Sequence, residues 1–237
     1  MPISIVENRD CMEAMKYFPD KYFELAIVDP PYGINAANMQ MGALVNGSKN
    51  HGKYDSAAQK IKKGRLNRGA GKLKGISLQT MHSDWDFEKP PKEYFIELMR
   101  VSKNQIIWGG NYFELPPTRC VICWDKLQYW DNFSQWEMAW TSFDKPAKMF
   151  KYASSGISPD KSTKIHPTQK PKQLYKYLLK TFANSCDKIL DTHLGSGSSR
   201  IAAYDMGFDF YGYELDKDYF DASCKRFEQY KAQLKLF

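Results

Sequence analysis

No run of 18 apolar residues occurs in the 237-residue chain, so no transmembrane helix is expected. The N-terminus, Met1 to Glu7, lacks the basic start and long apolar stretch of a signal peptide. Cysteines are few, odd in number and scattered; the five of them argue against a disulfide framework and for a reducing cytoplasm. Cys120 and Cys123 are spaced as Cys-x-x-Cys, but no second pair or suitable histidine cluster completes a zinc site. They read as core residues of a buried strand, and no metal is expected. Acids are nearly missing from one region: between Lys49 and Lys74, nine Lys and Arg face Asp55 alone. That segment carries +8 of a net charge of +7, leaving about −1 for the rest. A near-neutral globule with one cationic segment points to a polyanionic partner.

What the chain does have is an apolar run that ends on a carboxylate: Leu25-Ala26-Ile27-Val28-Asp29-Pro30-Pro31-Tyr32. Leu25 to Val28 reads as a short buried strand. Pro30 and Pro31 cannot donate to a sheet ladder, so the strand stops there. Asp29 then lies at the carboxyl end of a strand, where open α/β sheets place their ligands. It offers acceptors only, the prolines add carbonyls without N–H groups, and Tyr32 adds a flat ring. The set suits a planar ligand with an –NH2 group, such as a nucleobase. The plainer alternative is a Pro-rich turn with an exposed acid.

The 43% hydrophobic content is enough for a core, and strands alternating with helices imply a mainly parallel α/β sheet. Strands are expected over Ile3–Val6, Leu25–Val28, Gln105–Trp108, Val121–Trp124, Met138–Phe143, Lys188–Asp191 and Phe208–Glu214. Asp10 with Glu13 three residues later resembles a capping box, so Asp10 has a structural role open to it as an N-cap. Helices are expected after Pro90, with Tyr94, Leu98 and Val101 on one face, and after Pro171, with Leu174, Tyr177, Leu178 and Thr181. A last helix, Lys217–Leu234, should pack through Phe220, Phe227, Tyr230 and Leu234. Two stretches break the pattern. Residues 33–79 are rich in Gly and Lys and poor in large apolar side chains. They read as a mobile basic insertion that contacts substrate, although a solvated loop has the same composition. Residues 144–165 read as a polar connection.

Asp191 leads into Thr192-His193-Leu194-Gly195-Ser196-Gly197-Ser198, a strand, a glycine turn and a helix start. Glycines let a ligand approach the backbone, and a helix N-terminus favours a negative group. Glu214 ends the next strand about 20 residues later, where an acid accepts ribose hydroxyls in dinucleotide folds. The third glycine expected for a pyrophosphate is missing. A nucleoside-like ligand with a ribose and no diphosphate is the inference; Glu214 as a plain solvent-facing cap is the alternative.

These residues together resemble the amino-group DNA methyltransferases that use S-adenosylmethionine. The order is Asp29–Tyr32, then His166-Pro167-Thr168-Gln169-Lys170-Pro171, then Asp191–Ser198, then Glu214. That is the order of the permuted β class, in which the catalytic Asp-Pro-Pro-Tyr comes first. Trp108-Gly109-Gly110-Asn111-Tyr112-Phe113, Trp124-Asp125-Lys126 and Glu137-Met138-Ala139-Trp140-Thr141 are similar to phage and prophage members. The resemblance implies a single Rossmann-like methyltransferase domain over 1–237, with helices on both faces of a twisted, mostly parallel sheet and a circularly permuted motif order. It implies methyl transfer to adenine N6 in a flipped-out base at Asp29, Pro30, Pro31 and Tyr32, with cytosine N4 as one alternative and a catalytically inactive DNA-binding homologue as another. By the same resemblance, Asp10 and the backbone of Cys11 bind the cofactor adenine and Glu214 binds the ribose. His166, Thr168 and Lys170 contact the methionine end, above Asp191, Gly195, Ser196, Gly197 and Ser198, and Asp29 lies next to the cofactor. The family often has Pro and Phe after the motif acid; Thr192 and His193 stand there here, so imidazole replaces an aromatic contact. The target-recognition region before His166 shrinks to residues 144–165. Contact with double-stranded DNA is therefore expected from the insertion, through Lys60, Lys62, Lys63, Arg65, Arg68, Lys72 and Lys74. A homodimer and a cognate restriction endonuclease are further partners that the resemblance admits, in the cytoplasm and away from membranes.

Overall fold

A computed structural model describes residues 2–34, 88–128, 134–153, 165–166 and 168–234. The described chain forms one eight-stranded sheet between two layers of helices. Strands β1 (Ser4–Asn8), β2 (Phe23–Val28), β3 (Ser102–Trp108), β4 (Val121–Asp125), β5 (Trp136–Thr141), β6 (Lys148–Lys151), β7 (Lys188–Asp191) and β8 (Asp209–Glu214) lie in the order β1-β8-β7-β2-β3-β5-β4-β6. Only β5 is antiparallel to its neighbours, β3 and β4; every other pairing is parallel. The helices are α1 (Cys11–Met15), α2 (Lys92–Val101), α3 (Lys172–Phe182), α4 (Ser198–Met206) and α5 (Lys217–Leu234).

Strand β2 sits in the middle because both of its faces are apolar. Leu25 and Ile27 pack with Leu174 and Leu178 of α3 and with Ala202 and Ala203 of α4. Ala26 and Val28 pack with Met15 of α1 and with Tyr94 and Leu98 of α2. Each large side chain removed from water in this way contributes about 1.5–3 kcal/mol. A strand buried on both sides reads as a continuous apolar run rather than an alternating one, which is why the breaker-bounded LAIV segment was legible.

The chain leaves β2 toward β3 on one side and leaves β7 toward β8 on the other, while β2 and β7 are themselves paired. Their carboxyl ends therefore flank the point where the winding direction reverses, and a crevice opens there. Asp29 and Thr192 begin the loops that leave these two ends.

Two expectations need correcting. The 144–165 stretch is not only a polar connection: Lys148–Lys151 forms β6, pairing in parallel with β4. It is an edge strand with both lysines and Met149 exposed, and Phe150 alone packs inward, 4.9 Å from the Tyr177 ring. Edge strands carry such lysines to block further pairing, which erases the hydrophobic signal. Helix α5 is buried through Tyr219, Ser223, Arg226 and Phe227; of the expected stripe Phe227 is buried, whereas Phe220 and Tyr230 are only half-buried. The polar Ser223 and Arg226 on the inner face shifted the apparent stripe. Cys120 is buried as expected, whereas Cys123 is only half-buried. Among the described residues, no helix is long and apolar enough to cross a membrane.

Candidate functional site

At the carboxyl ends of β2, β7 and β8 lies a cavity of about 1200 Å³. Asp29, Pro30, Pro31 and Tyr32 line one side of it, together with Gly109, Tyr112, Lys126, Trp136 and Glu137. Asp10, Cys11, His193, Gly195, Ser196 and Glu214 line it too, as do His166, Thr168 and Lys170. The sheet thus brings the two sequence-distant groups to one crevice. Asp191, Gly197 and Ser198 do not reach the lining; they support it from below.

At Asp29 both carboxylate oxygens have partners. The Tyr32 hydroxyl donates to Oδ1 at 2.6 Å, and the Lys170 ammonium donates to Oδ2 at 2.5 Å. Each oxygen keeps a second lone pair for another donor. Tyr32 is wedged in place: its ring stacks on Tyr112 with centroids 5.0 Å apart and 15° between planes, and Gly109 lies against it. Burial, and then the Asp29 charge, push the Tyr32 phenol well above its ordinary pKa, so it stays a neutral donor.

Lys170 is 4% exposed and also reaches Glu137 Oε2 at 3.2 Å, and Lys126 pairs with the other oxygen of Glu137. Burial opposes charge on Lys170, but the Asp29 and Glu137 carboxylates outweigh it and raise its pKa. Burial likewise opposes charge on Glu137, and the two lysines more than compensate, holding it below the usual glutamate value.

The glycine turn is built differently from a phosphate loop. Gly195 donates its N–H to Glu214 Oε2 at 2.7 Å, and Gly197 donates to the Leu194 carbonyl at 2.8 Å. The amides of both glycines are thus engaged inside the protein. Glu214 Oε1 accepts from Asp216 N–H at 3.0 Å, so its carboxylate is aimed by two backbone donors and keeps lone pairs for hydroxyls. Burial raises the Glu214 pKa, against the lowering effect of the Gly195 N–H. Beneath the turn, Arg226 donates to the Ser196 carbonyl at 2.7 Å and to Ser198 Oγ at 2.9 Å. Asp191 accepts from Ser199 Oγ at 2.5 Å and from His193 N–H at 3.1 Å. Its burial outweighs these bonds and pushes its pKa up to about 7.

Asp10 does cap α1, accepting Glu13 N–H at 3.0 Å, and it lines the cavity as well. The capping box is half-formed, because the Glu13 carboxylate pairs with Lys16. His193 packs edge-on against Tyr94 at 5.4 Å, and its Nδ1 lies 2.9 Å from Thr192 Oγ1. Burial lowers its pKa to about 4, so the imidazole is neutral at ordinary pH and serves as a flat, uncharged wall. The His166 ring lies 4.3 Å from that of Tyr219. The insertion lysines and arginines, 60 through 74, fall outside the described residues.

Lys126, Glu137 and Arg226 were not singled out as site residues from the sequence. Each is a charged residue at or near the end of an apolar strand or on the inner face of a helix, and that position was the available signal.

The chain is similar to known proteins over nearly its whole length. Across 95% of this chain and 88% of the relative, it is 22% identical to the type II methyltransferase M2.MboI of Moraxella bovis. It is 21% identical to the type II methyltransferase M2.LlaDCHI of Lactococcus lactis subsp. cremoris, over 94% of this chain and 88% of the relative. The fold is similar to that in the solved M1.HpyAVI–SAM complex, with a TM-score of 0.52 and 16% identity, over 96% of this chain and 100% of that one. It is also similar to the PvuII DNA methyltransferase, described as cytosine-N4-specific, with a TM-score of 0.55 and 13% identity, over 94% of this chain and 85% of that one. Residues 107–225, half of the chain, match the N6_N4_Mtase family model, described as DNA methylase, and the chain belongs to that family of DNA methyltransferases.

Proposed function

We propose that this protein is a permuted β-class, site-specific DNA methyltransferase that methylates adenine at N6. The methyl donor is S-adenosylmethionine. The observation that carries the reading is the single cavity shared by Asp29–Tyr32 and Glu214, on the two sides of the reversal in the sheet. The residues fit the donor: Glu214 presents lone pairs suited to a ribose diol, and Asp10 suits an exocyclic amino group. His166, Thr168 and Asp191 belong to the end that takes the amino acid portion. Bound there, the donor supplies a sulfonium methyl group already activated for displacement.

The chain's own contribution is positioning and charge. An adenine amino group has its lone pair delocalised into the ring and is a poor nucleophile. Asp29 and the Pro30 carbonyl each accept one of its N–H bonds, drawing the nitrogen toward a tetrahedral form with its lone pair directed outward. Pro30 and Pro31 present no competing N–H. A base in a duplex cannot enter this crevice, so it is flipped out. Stacked on Tyr32, it takes the place that Tyr112 occupies at the surface of the cavity. Double-stranded DNA is the substrate, gripped by the basic insertion of residues 33–79. A cognate endonuclease and a homodimer stay expectations of the same reading.

Cytosine N4 is the second reading, favoured by the likeness to the PvuII enzyme. The family's cytosine enzymes more often carry Ser where Asp29 stands. Nucleoside mass spectrometry of unmethylated bacterial DNA treated with the protein and donor decides. N6-methyladenine is expected; N4-methylcytosine overturns the base assignment, and unmodified DNA overturns the activity.

A further inference from the structure

Lys170 was expected at the methionine end of the cofactor, yet its ammonium lies between two carboxylates. It is 2.5 Å from Asp29 Oδ2, 3.2 Å from Glu137 Oε2 and 3.4 Å from the Tyr32 hydroxyl. Its position is also held by aromatic faces, with Nζ 5.2 Å from the Trp108 ring centroid and 5.9 Å from that of Tyr32. We propose that Lys170 is a positioning residue for methyl transfer, the shared cation that holds the Asp29 and Glu137 carboxylates side by side so that Asp29 meets the amino group as an acceptor. This rests on the role given to Asp29 above.

The argument is one of charge in a confined space. Four residues from separate parts of the sheet, Asp29 after β2, Lys170 before α3, Glu137 in β5 and Lys126 after β4, form a chain of alternating sign. It sums to zero. The other titratable groups acting on it are the Tyr32 phenol, the Tyr94 phenol of α2, the Tyr175 phenol of α3 and, at the end of β7, Asp191. Burial pushes the three phenols well above their ordinary range, so they stay neutral. It raises Asp191 to about 7, where its charge acts on Asp29 in every variant alike. A buried ammonium is costly alone and is retained when paired with good geometry. Take it away, and two carboxylates face each other in a poorly solvated site. Such pairs share a proton and titrate together, with one apparent pKa strongly raised. A proton on Asp29 turns one acceptor into a donor and competes with the N–H bond that the amino group must make. Lys170 also ties the start of α3 to the catalytic turn, so the charge and the geometry act through one atom.

The test compares wild type with Lys170→Met, Lys170→Arg, Glu137→Gln and the Lys170→Met/Glu137→Gln pair. Labelled methyl transfer to unmethylated bacterial DNA is followed against pH, and donor binding is followed by calorimetry without DNA. For Lys170→Met, the acid limb of kcat is expected to move up by about one unit or more, with kcat at pH 7 down about tenfold or more and donor Kd within about twofold. Arginine should restore the limb. Glu137→Gln in the Met background should move it back toward wild type, which a merely structural loss would not do. Should Lys170→Met fail to fold, Glu137→Gln alone keeps the question open: freeing Lys170 for Asp29 should shift the limb to lower pH. Donor binding weakened tenfold with an unmoved limb would assign Lys170 to the cofactor and overturn the proposal. So would unchanged profiles in all variants. Absence of any transfer by wild type would instead overturn the functional reading.

Discussion

Gly109→Ala separates the placement of Tyr32 from everything else in the site. Gly109 follows β3 with φ +68° and ψ 24°, and its N–H donates to the Met138 carbonyl at 2.9 Å. A Cβ there would stand 2.3 Å from Tyr32 Cε1, 2.6 Å from Cδ1 and 2.7 Å from Cζ. Carbon atoms rest about 3.5–4.0 Å apart, so the ring must retreat by more than about 1 Å. Its hydroxyl bond to Asp29 and its stack on Tyr112 oppose that retreat. The left-handed backbone adds roughly 1–2 kcal/mol for a residue with a Cβ, and overpacking adds about 1–3 kcal/mol. Stability should therefore fall by about 2–5 kcal/mol. A displacement of about 1 Å at a reacting group costs on the order of 100-fold in rate. Donor binding should hold, because Asp10 and Glu214 do not contact Gly109. Urea unfolding, calorimetry with the donor and initial rates of methyl transfer report the three quantities. A rate within about twofold of wild type would refute the claim that a fixed Tyr32 positions the base.

Three other outcomes are expected. Glu214→Gln should weaken donor binding by about 1–3 kcal/mol in calorimetry, since one backbone donor then faces an amide and the charge-assisted bonds to the ribose are lost; an unchanged Kd would place the donor elsewhere. Asp191 has its pKa raised from 3.8 to about 7, so the native state holds a proton that the unfolded chain releases in that window. Its contribution to stability is therefore lost as pH rises from about 4 to about 7, by on the order of 4 kcal/mol at most, and levels off above. Urea titrations of wild type and Asp191→Asn should diverge across that window; parallel curves would show that Asp191 titrates normally. Replacing Lys60, Lys62 and Lys63 with Ala should lower the slope of log DNA affinity against log salt by up to about 2.7, with donor affinity unmoved; parallel salt titrations would remove the insertion from the DNA contact.

The parts of the site that could be read from the sequence are those whose chemistry is local. Asp29 follows an apolar run and precedes two prolines, and Glu214 ends the strand after a glycine turn; each carries its own punctuation. The parallel sheet was legible from the alternation of strands and helices, because β2, β3, β7 and β8 each carry a short buried apolar run: Leu25–Val28, Ile106–Trp108, Ile189–Leu190 and Phe210–Tyr211. What was not legible depends on strand order. Glu137 meets Lys170 only because β5 inserts antiparallel between β3 and β4. Arg226 meets the glycine turn only because α5 rolls its Tyr219–Phe227 face inward, and its guanidinium there reads as a solvent residue by hydropathy. Strand β6 escaped because a lysine-guarded edge has one inward side chain and no period. The contact of Tyr112 with Tyr32 joins two loops some 80 residues apart, and nothing in either loop announces it.

The central claim is that Asp29 is the acceptor for the reacting amino group. Asp29→Ala, assayed with labelled donor on unmethylated bacterial DNA, tests it most directly. Methyl transfer should fall by about 10²–10⁴-fold or more, while the circular dichroism spectrum stays at the wild-type form, because the pairing of β2 with β3 and β7 does not use this side chain and Glu137 still pairs with Lys170. Turnover near that of wild type would contradict the account.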